Sequence, residues 1–212
     1  MILLFAVIAG LGASIIRLQL HNHRLFNGKH TRHGDAPKSP SPFKVPPMIG
    51  GWLLFIAMLP QLIAFYLPVT SSMIADEFAA VALTVSQLLL LIFGWKNRHQ
   101  RAFVLLLMGL LFNFIVIVSN GGLMPMSPAT LTKLVSADRA AAWQIGERIA
   151  HTKDRLLPEE QTRFAFFADR FILPEWTGQA VAYSIGDVVI ALGAFWFLWD
   201  TSKPRSTGDA LP

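Results

Sequence analysis

Residues 102–128 read AFVLLLMGLLFNFIVIVSNGGLMPMSP. From Ala102 to Val118 the stretch holds no charged residue. A helix that crosses a bilayer needs about 20 mostly apolar residues, with a range of roughly 17 to 25. This run is long enough, and it ends in the residues that stop helices. Asn120, Gly121 and Gly122 tolerate the left-handed conformation at a helix C-terminus. Pro125 and Pro128 prevent the helix from continuing. The stretch therefore reads as a membrane helix followed by a tight exit turn at the outer surface. A second reading stays open, in which backbone groups of the glycine turn form a small anion or ion site.

The whole chain fits a membrane setting. Its 212 residues are 53% hydrophobic and 15% charged, with a mean hydropathy of +0.48. Soluble domains carry roughly 25% charged residues. The formal charge is +5 and the pI about 9.9, but the cations border apolar runs, which is a signature of membrane orientation rather than of nucleic-acid binding. No cysteine occurs, so disulfides, thiolate metal sites and c-type haem attachment are excluded.

Five apolar segments stand out: Ile2 to Ile16, Gly50 to Val69, Phe78 to Gly94, Ala102 to Val118 and Ser184 to Trp199. None contains Lys, Arg or Glu, and the one Asp is Asp187. The middle three are long enough to span alone, while the first and last need flanking residues. Nothing basic precedes Ile2 and Arg17 follows the run, so the first segment is expected to be a retained helix rather than a removable signal.

Charge then orients the segments. Arg17, Arg24, Lys29, Arg32, Lys38 and Lys44 face a single acid, Asp35, in the first loop. Lys96, Arg98 and Arg101 crowd the turn WKNRHQR, and Lys203 and Arg205 lie in the tail. The turn before the third segment holds Asp76 and Glu77 and no cation. The positive-inside rule places the first three regions in the cytoplasm and the fourth outside. The expected fold is all-α and polytopic. Residues 1–118 hold helices one to four with a basic cytoplasmic loop at 17–49. Residues 119–183 form a helical extracytoplasmic cap, 184–200 the fifth helix and 201–212 a cytoplasmic tail. The N-terminus lies outside the plasma membrane and the C-terminus inside.

Within the cap, Ser127-Pro128 predicts a capped helix start, Ser136 a helix to about Ala150, and Pro158-Glu159-Glu160 a third. Phe164, Phe167 and Phe171 are spaced to share one face of that third helix. The last segment opens with Ser184-Ile185-Gly186-Asp187, a capping-box pattern. Asp187 is expected to cap. The alternative is a proton or cation site, since ionisable groups near a membrane are often functional. The NGG and SIGD motifs share the outer face and are expected to meet.

NGGLMP after the penultimate helix, TRFAFFADRFILP, and SIGDVVIALG at the last helix together resemble an uncharacterised family of small bacterial and archaeal membrane proteins. The similarity is good over the C-terminal half and confined to hydropathy in the first hundred residues. The longer basic, His-rich first loop and the Phe-rich segment depart from the pattern. The resemblance implies an architecture and no activity. Its signature positions are Asn120, Gly121, Gly122, Met124, Pro125, Asp169, Gly186 and Asp187.

Other polar groups have plain readings. Gln61, Gln87 and Asn113 lie within spans and are expected to bond between helices. Ala6, Gly10 and Ser14 form a small-residue stripe for close packing. His21, His23, His30 and His33, with Asp35, lie in the first loop; a flexible polar loop is expected there and a surface metal site is the alternative. Glu147, Asp154, Glu159, Glu160 and Asp169 neighbour cations and read as solvated. No nucleophile–base pair, phosphate loop or zinc motif is present. No catalytic, metal or cofactor residue is assigned. The expected function is a non-catalytic accessory or scaffold subunit of a larger membrane complex, in contact with lipid and other membrane subunits and not with nucleic acid. The alternatives are a small-solute or ion-coupled carrier using Asp187 and the NGG turn, and a membrane enzyme with acid–base groups in its external loop.

Overall fold

The computed structural model describes residues 9–16, 19 and 47–201. The expectations for the first loop, including its four histidines, and for the tail lie outside them. The described chain is mostly helical. Helix α1 (Trp52–Gln61) runs into a π-helical turn, Leu62–Tyr66, followed by a short α2 (Pro68–Met73). Helix α3 spans Asp76–Lys96 and α4 Arg101–Ser119. A cap of residues 120–183 follows, and α7 (Ile185–Thr201) closes the layer. Among the described residues two helices, α3 and α4, are long and apolar enough to cross a membrane.

The second apolar segment is not one continuous helix. Pro60 lies inside α1, where it has no N–H to donate, and Pro68 starts a new helix after the extended Leu67. Between them Leu67 N–H reaches back five residues to the Leu62 carbonyl, which makes the wider π turn.

Helix α3 opens on Asp76 and Glu77 and closes on Lys96, so its charges oppose the helix dipole at both ends. The most extensive helix packing is α4 on α7, followed by α1 on α3 and then α3 on α4. Glycines allow the α4–α7 crossing. A Cβ on Gly186 would stand 2.8 Å from the Gly109 carbonyl, and one on Gly109 would stand 2.5 Å from the Gly186 carbonyl. Gly10 and Ser14, the described members of the small-residue stripe, have a partner too. Ser14 Oγ donates to the Leu198 carbonyl at 2.7 Å, and Gly10 lies against Leu198. Gln61 Nε2 donates to Ser86 Oγ at 2.6 Å and so links α1 to α3, whereas Gln87 Oε1 is buried without a hydrogen-bond partner.

The two ends of the layer differ. At one end Phe93, Phe103 and Phe197 stack edge to face beside Leu53. There Asn97 receives Ile49 N–H at 2.8 Å and donates to the Ile49 and Phe93 carbonyls. At the other end lies the cap.

The cap is not the helical one expected. It contains α5 (Pro128–Leu134), one turn of α6 (Ala137–Ala140), three 3-10 turns and four short strands. Strand β1 (Met124–Met126) pairs in parallel with β2 (Asp154–Leu156), and β3 (Phe171–Ile172) pairs antiparallel with β4 (Ala182–Tyr183). The Ser127 cap does form, accepting from Thr130 N–H at 3.1 Å. The helix from Ser136 stops early because β2 takes its backbone groups. Gly146 N–H bonds to the Leu156 carbonyl and Ile149 N–H to the Asp154 carbonyl. The helix from Pro158 shrinks to one 3-10 turn, Glu159–Gln161. The Phe164–Phe171 stripe is no helix face either: a 3-10 turn (Ala165–Phe167) is followed by Asp169 N–H bonding to the Pro125 carbonyl.

Candidate functional site

The exit turn is built as a Schellman closure. Gly121 and Gly122 have φ of 82° and 86°, and Gly122 N–H bonds to the Ile117 carbonyl at 2.8 Å. Neither position has room for a side chain. A Cβ on Gly122 would lie 2.8 Å from Ala80, and one on Gly121 would lie 2.7 Å from Arg155 Nη1. Met124 N–H bonds to the Lys153 carbonyl at 2.9 Å. These N–H groups serve the chain itself, which weakens the anion-site reading of the turn. Met124 and Pro125 are buried in β1.

Asn120 acts as a clamp. Its Nδ2 donates to the Val116 and Arg163 carbonyls at 2.7 and 2.8 Å, and its Oδ1 receives Arg163 N–H at 2.9 Å. The next residue, Phe164, is left-handed with φ 57°, a conformation disfavoured for an aromatic residue. Phe167 then stacks on Phe112 of α4, with ring centroids 4.6 Å apart.

Ser184 and Asp187 form a reciprocal capping box. Ser184 Oγ accepts from Asp187 N–H, and Asp187 Oδ2 accepts from Ser184 N–H, each at 3.0 Å. Both side chains also meet Asn113, which donates to Asp187 Oδ1 at 2.9 Å and accepts from Ser184 Oγ at 2.9 Å. Gly186 must lack a side chain because a Cβ there would overlap Asn113 Oδ1. Lys153 lies near both motifs: its carbonyl receives Met124 N–H, and its ammonium lies within the field of Asp187.

Lys153 is the centre of a charged cluster. Its Nζ donates to Asp154 Oδ1 at 2.9 Å and to Asp169 Oδ2. Asp169 is 1% exposed, and its Oδ1 has no hydrogen-bond partner. Burial pushes its carboxyl up to about 7; Lys153 opposes the rise, while Asp154 and Asp187 add to it. Burial works against the charge of Lys153, but the surrounding carboxylates outweigh it and hold the ammonium well above its usual range. The physical picture is two carboxylates bonded to one ammonium, with Asp187 further off in the same field.

Arg148 joins the cap to the helix layer. Its side chain is 3% exposed and pairs with Asp76 at 3.0 Å. Its Nη2 donates to the Ser71 and Ile74 carbonyls, both at 3.1 Å.

Two corrections to the sequence reading follow. Asp169 is buried and Asp154 nearly so, because their neighbouring strands bring them under the Lys153 ammonium. Glu147, Glu159 and Glu160 are exposed. Lys153, Arg148 and Arg155 were not singled out by the sequence. The one hint was the density of opposite charges in HTKDR, residues 151–155. No cluster of metal-ligating side chains occurs among the described residues.

The geometry defines a class: an apolar helical layer with one end sealed by a charged, hydrogen-bonded cap. Residues 47–199 match DUF5317, a family of unknown function, and the chain belongs to that family. The match reaches well beyond the C-terminal half that the motifs suggest, to the start of α1. No curated protein and no solved structure matches the chain.

Proposed function

We propose that the chain is an integral protein of the plasma membrane, with five spans and the cap on the outer face, serving as a non-catalytic accessory or scaffold subunit of a larger membrane complex. One observation carries the reading. Several polar groups hold the cap and the helix ends together: both oxygens of Asp187, both polar atoms of Asn120, and Nε and Nη2 of Arg148. Such bonding supports a rigid platform rather than a moving gate. The positions of the loops support the orientation. The Lys96–Arg101 turn and Ile49 lie at one end of the layer, and Asp76 with the cap at the other. Five spans require the N-terminal segment, the shorter Trp52–Tyr66 helix and α7 to cross as well. The 17 residues of α7 give about 25 Å, near the lower limit for a bilayer core.

Affinity purification of the tagged full chain in mild detergent, followed by mass spectrometry, tests the proposal. Stoichiometric membrane partners are the expected result. A chain that purifies alone contradicts the scaffold reading.

A carrier is the second reading, favoured by the Asp169 carboxyl poised near neutral pH at the mouth of the helix layer. It requires that Asp187→Asn abolish solute flux in vesicles. The scaffold reading expects that variant to keep its partners with a modest loss of stability.

A further inference from the structure

A cavity of about 160 Å³ lies between α5 and the Thr162–Arg170 turn. It is smaller than the roughly 300 Å³ at which pockets for whole drug-sized molecules begin. Its charged lining consists of Lys133 and Arg170 against Glu159 and Asp169, two cations and two acids. Arg170 stands 3.7 Å from Glu159, and Lys133 forms no ion pair among the described residues. The Asp169 side chain is buried, and its Oδ1 accepts no hydrogen bond.

The turn that walls this cavity also reaches down the helix layer. Phe167 stacks on Phe112, which stands about two helical turns before the end of α4, or roughly 10 Å along its axis. Beside it Phe164 and Phe166 are 55% and 62% exposed, and the exposed Arg163 and Arg170 flank the turn. Exposed aromatic rings with arginines on either side, set at the depth of a spanning helix's last turns, match the headgroup boundary of a bilayer.

We propose that the cavity is a headgroup site for an outer-leaflet aminophospholipid. Lys133 and Arg170 take the phosphate, and the exposed Glu159 receives the ammonium, with the buried Asp169 carboxyl behind it. The acyl chains run past Phe164 and Phe166. The balanced charge selects a zwitterion over a purely anionic headgroup. The need for N–H donors selects a primary ammonium over a quaternary one. The proposal rests on the reading that α4 crosses a membrane with the cap outside.

The test is native mass spectrometry of the full chain in detergent, with phosphatidylethanolamine, phosphatidylglycerol and phosphatidylcholine supplied in equal amounts. Wild-type protein is expected to retain the ethanolamine lipid about tenfold over the other two. The Lys133→Ala/Arg170→Ala variant alters only exposed side chains and is expected to lose that preference while still folding. Glu159→Gln is expected to narrow the gap between the ethanolamine and choline lipids. Equal retention of all three lipids by folded wild-type protein overturns the proposal. So does an unchanged preference in the double variant. Soluble phosphoethanolamine or inorganic phosphate that protects the chain from unfolding as well as the lipid does would make this a site for free phosphate, which also overturns it. The membrane reading fails separately, if the chain stays in solution without detergent.

Discussion

The two ends of the helix layer are closed by different chemistry. At the Asn97 end, one neutral amide makes three hydrogen bonds, and three phenylalanines fill the space around it. At the cap end, closure depends on Arg148, Lys153, Asp169 and Asp187. Buried amides bond without carrying charge, so the Asn97 hydrogen bonds do not depend on protons. Buried ions must be paired, and their pairing responds to protons. A single chain thus has a static end and a titratable end.

The largest effect expected at the cap is that of Arg148→Ala. It removes a buried cation and leaves the Ser71 and Ile74 carbonyls without their donor. Asp76 is 39% exposed and stays hydrated, so the cost is about 2–3 kcal/mol. Thermal unfolding in detergent measures it, and limited proteolysis should then cut the cap before the helices.

Next is the pH response. The folded Asp169 carboxyl titrates at about 7 against an ordinary value of 3.8. The folded state therefore binds more protons than the unfolded state between those two values. Stability is expected to fall as pH rises from about 4 to about 7 and then to level off. Asp169→Asn should flatten that slope, as read from melting temperatures across the range. An unchanged slope would remove the contrast between the ends.

Asn97→Ala should cost about 1–2 kcal/mol through the lost bonds to Ile49 and Phe93. It should do so equally at every pH, because no ionisable group joins that cluster. Comparable is Ser184→Ala, at about 1–2 kcal/mol, which removes one half of the capping box and the bond to Asn113 while Asp187 keeps its bond from the Ser184 N–H.

The same contrast explains what was legible in the sequence. Long apolar runs declare their helices, because composition over about 17 residues is a strong signal. The glycine exit turn and the Ser184–Asp187 box are legible for another reason: each is completed within six residues. The cap is the opposite case. Parallel pairing of Met124–Met126 with Asp154–Leu156 joins segments far apart in the chain, and no local pattern announces it. The phenylalanine spacing was misleading because it means a common face only if the segment is helical. The Asn120 clamp and the Pro125 carbonyl prevent that. Asp154 and Asp169 read as solvated because charge usually is. Only the fold places them beneath other segments. The break in the second apolar segment was written in Pro60 and Pro68, and its apolar composition masked it.

The central claim is that the cap and the Asn97 end lie on opposite sides of a membrane. The chain has no cysteine, so single labels are clean. Trp176, 81% exposed in the cap, and His99, exposed beside Asn97, are natural sites for the label. In intact cells, a membrane-impermeant maleimide is expected to label Trp176→Cys and to spare His99→Cys until the cells are lysed. Labelling of both from the same side, or recovery of the chain without detergent, would contradict the account.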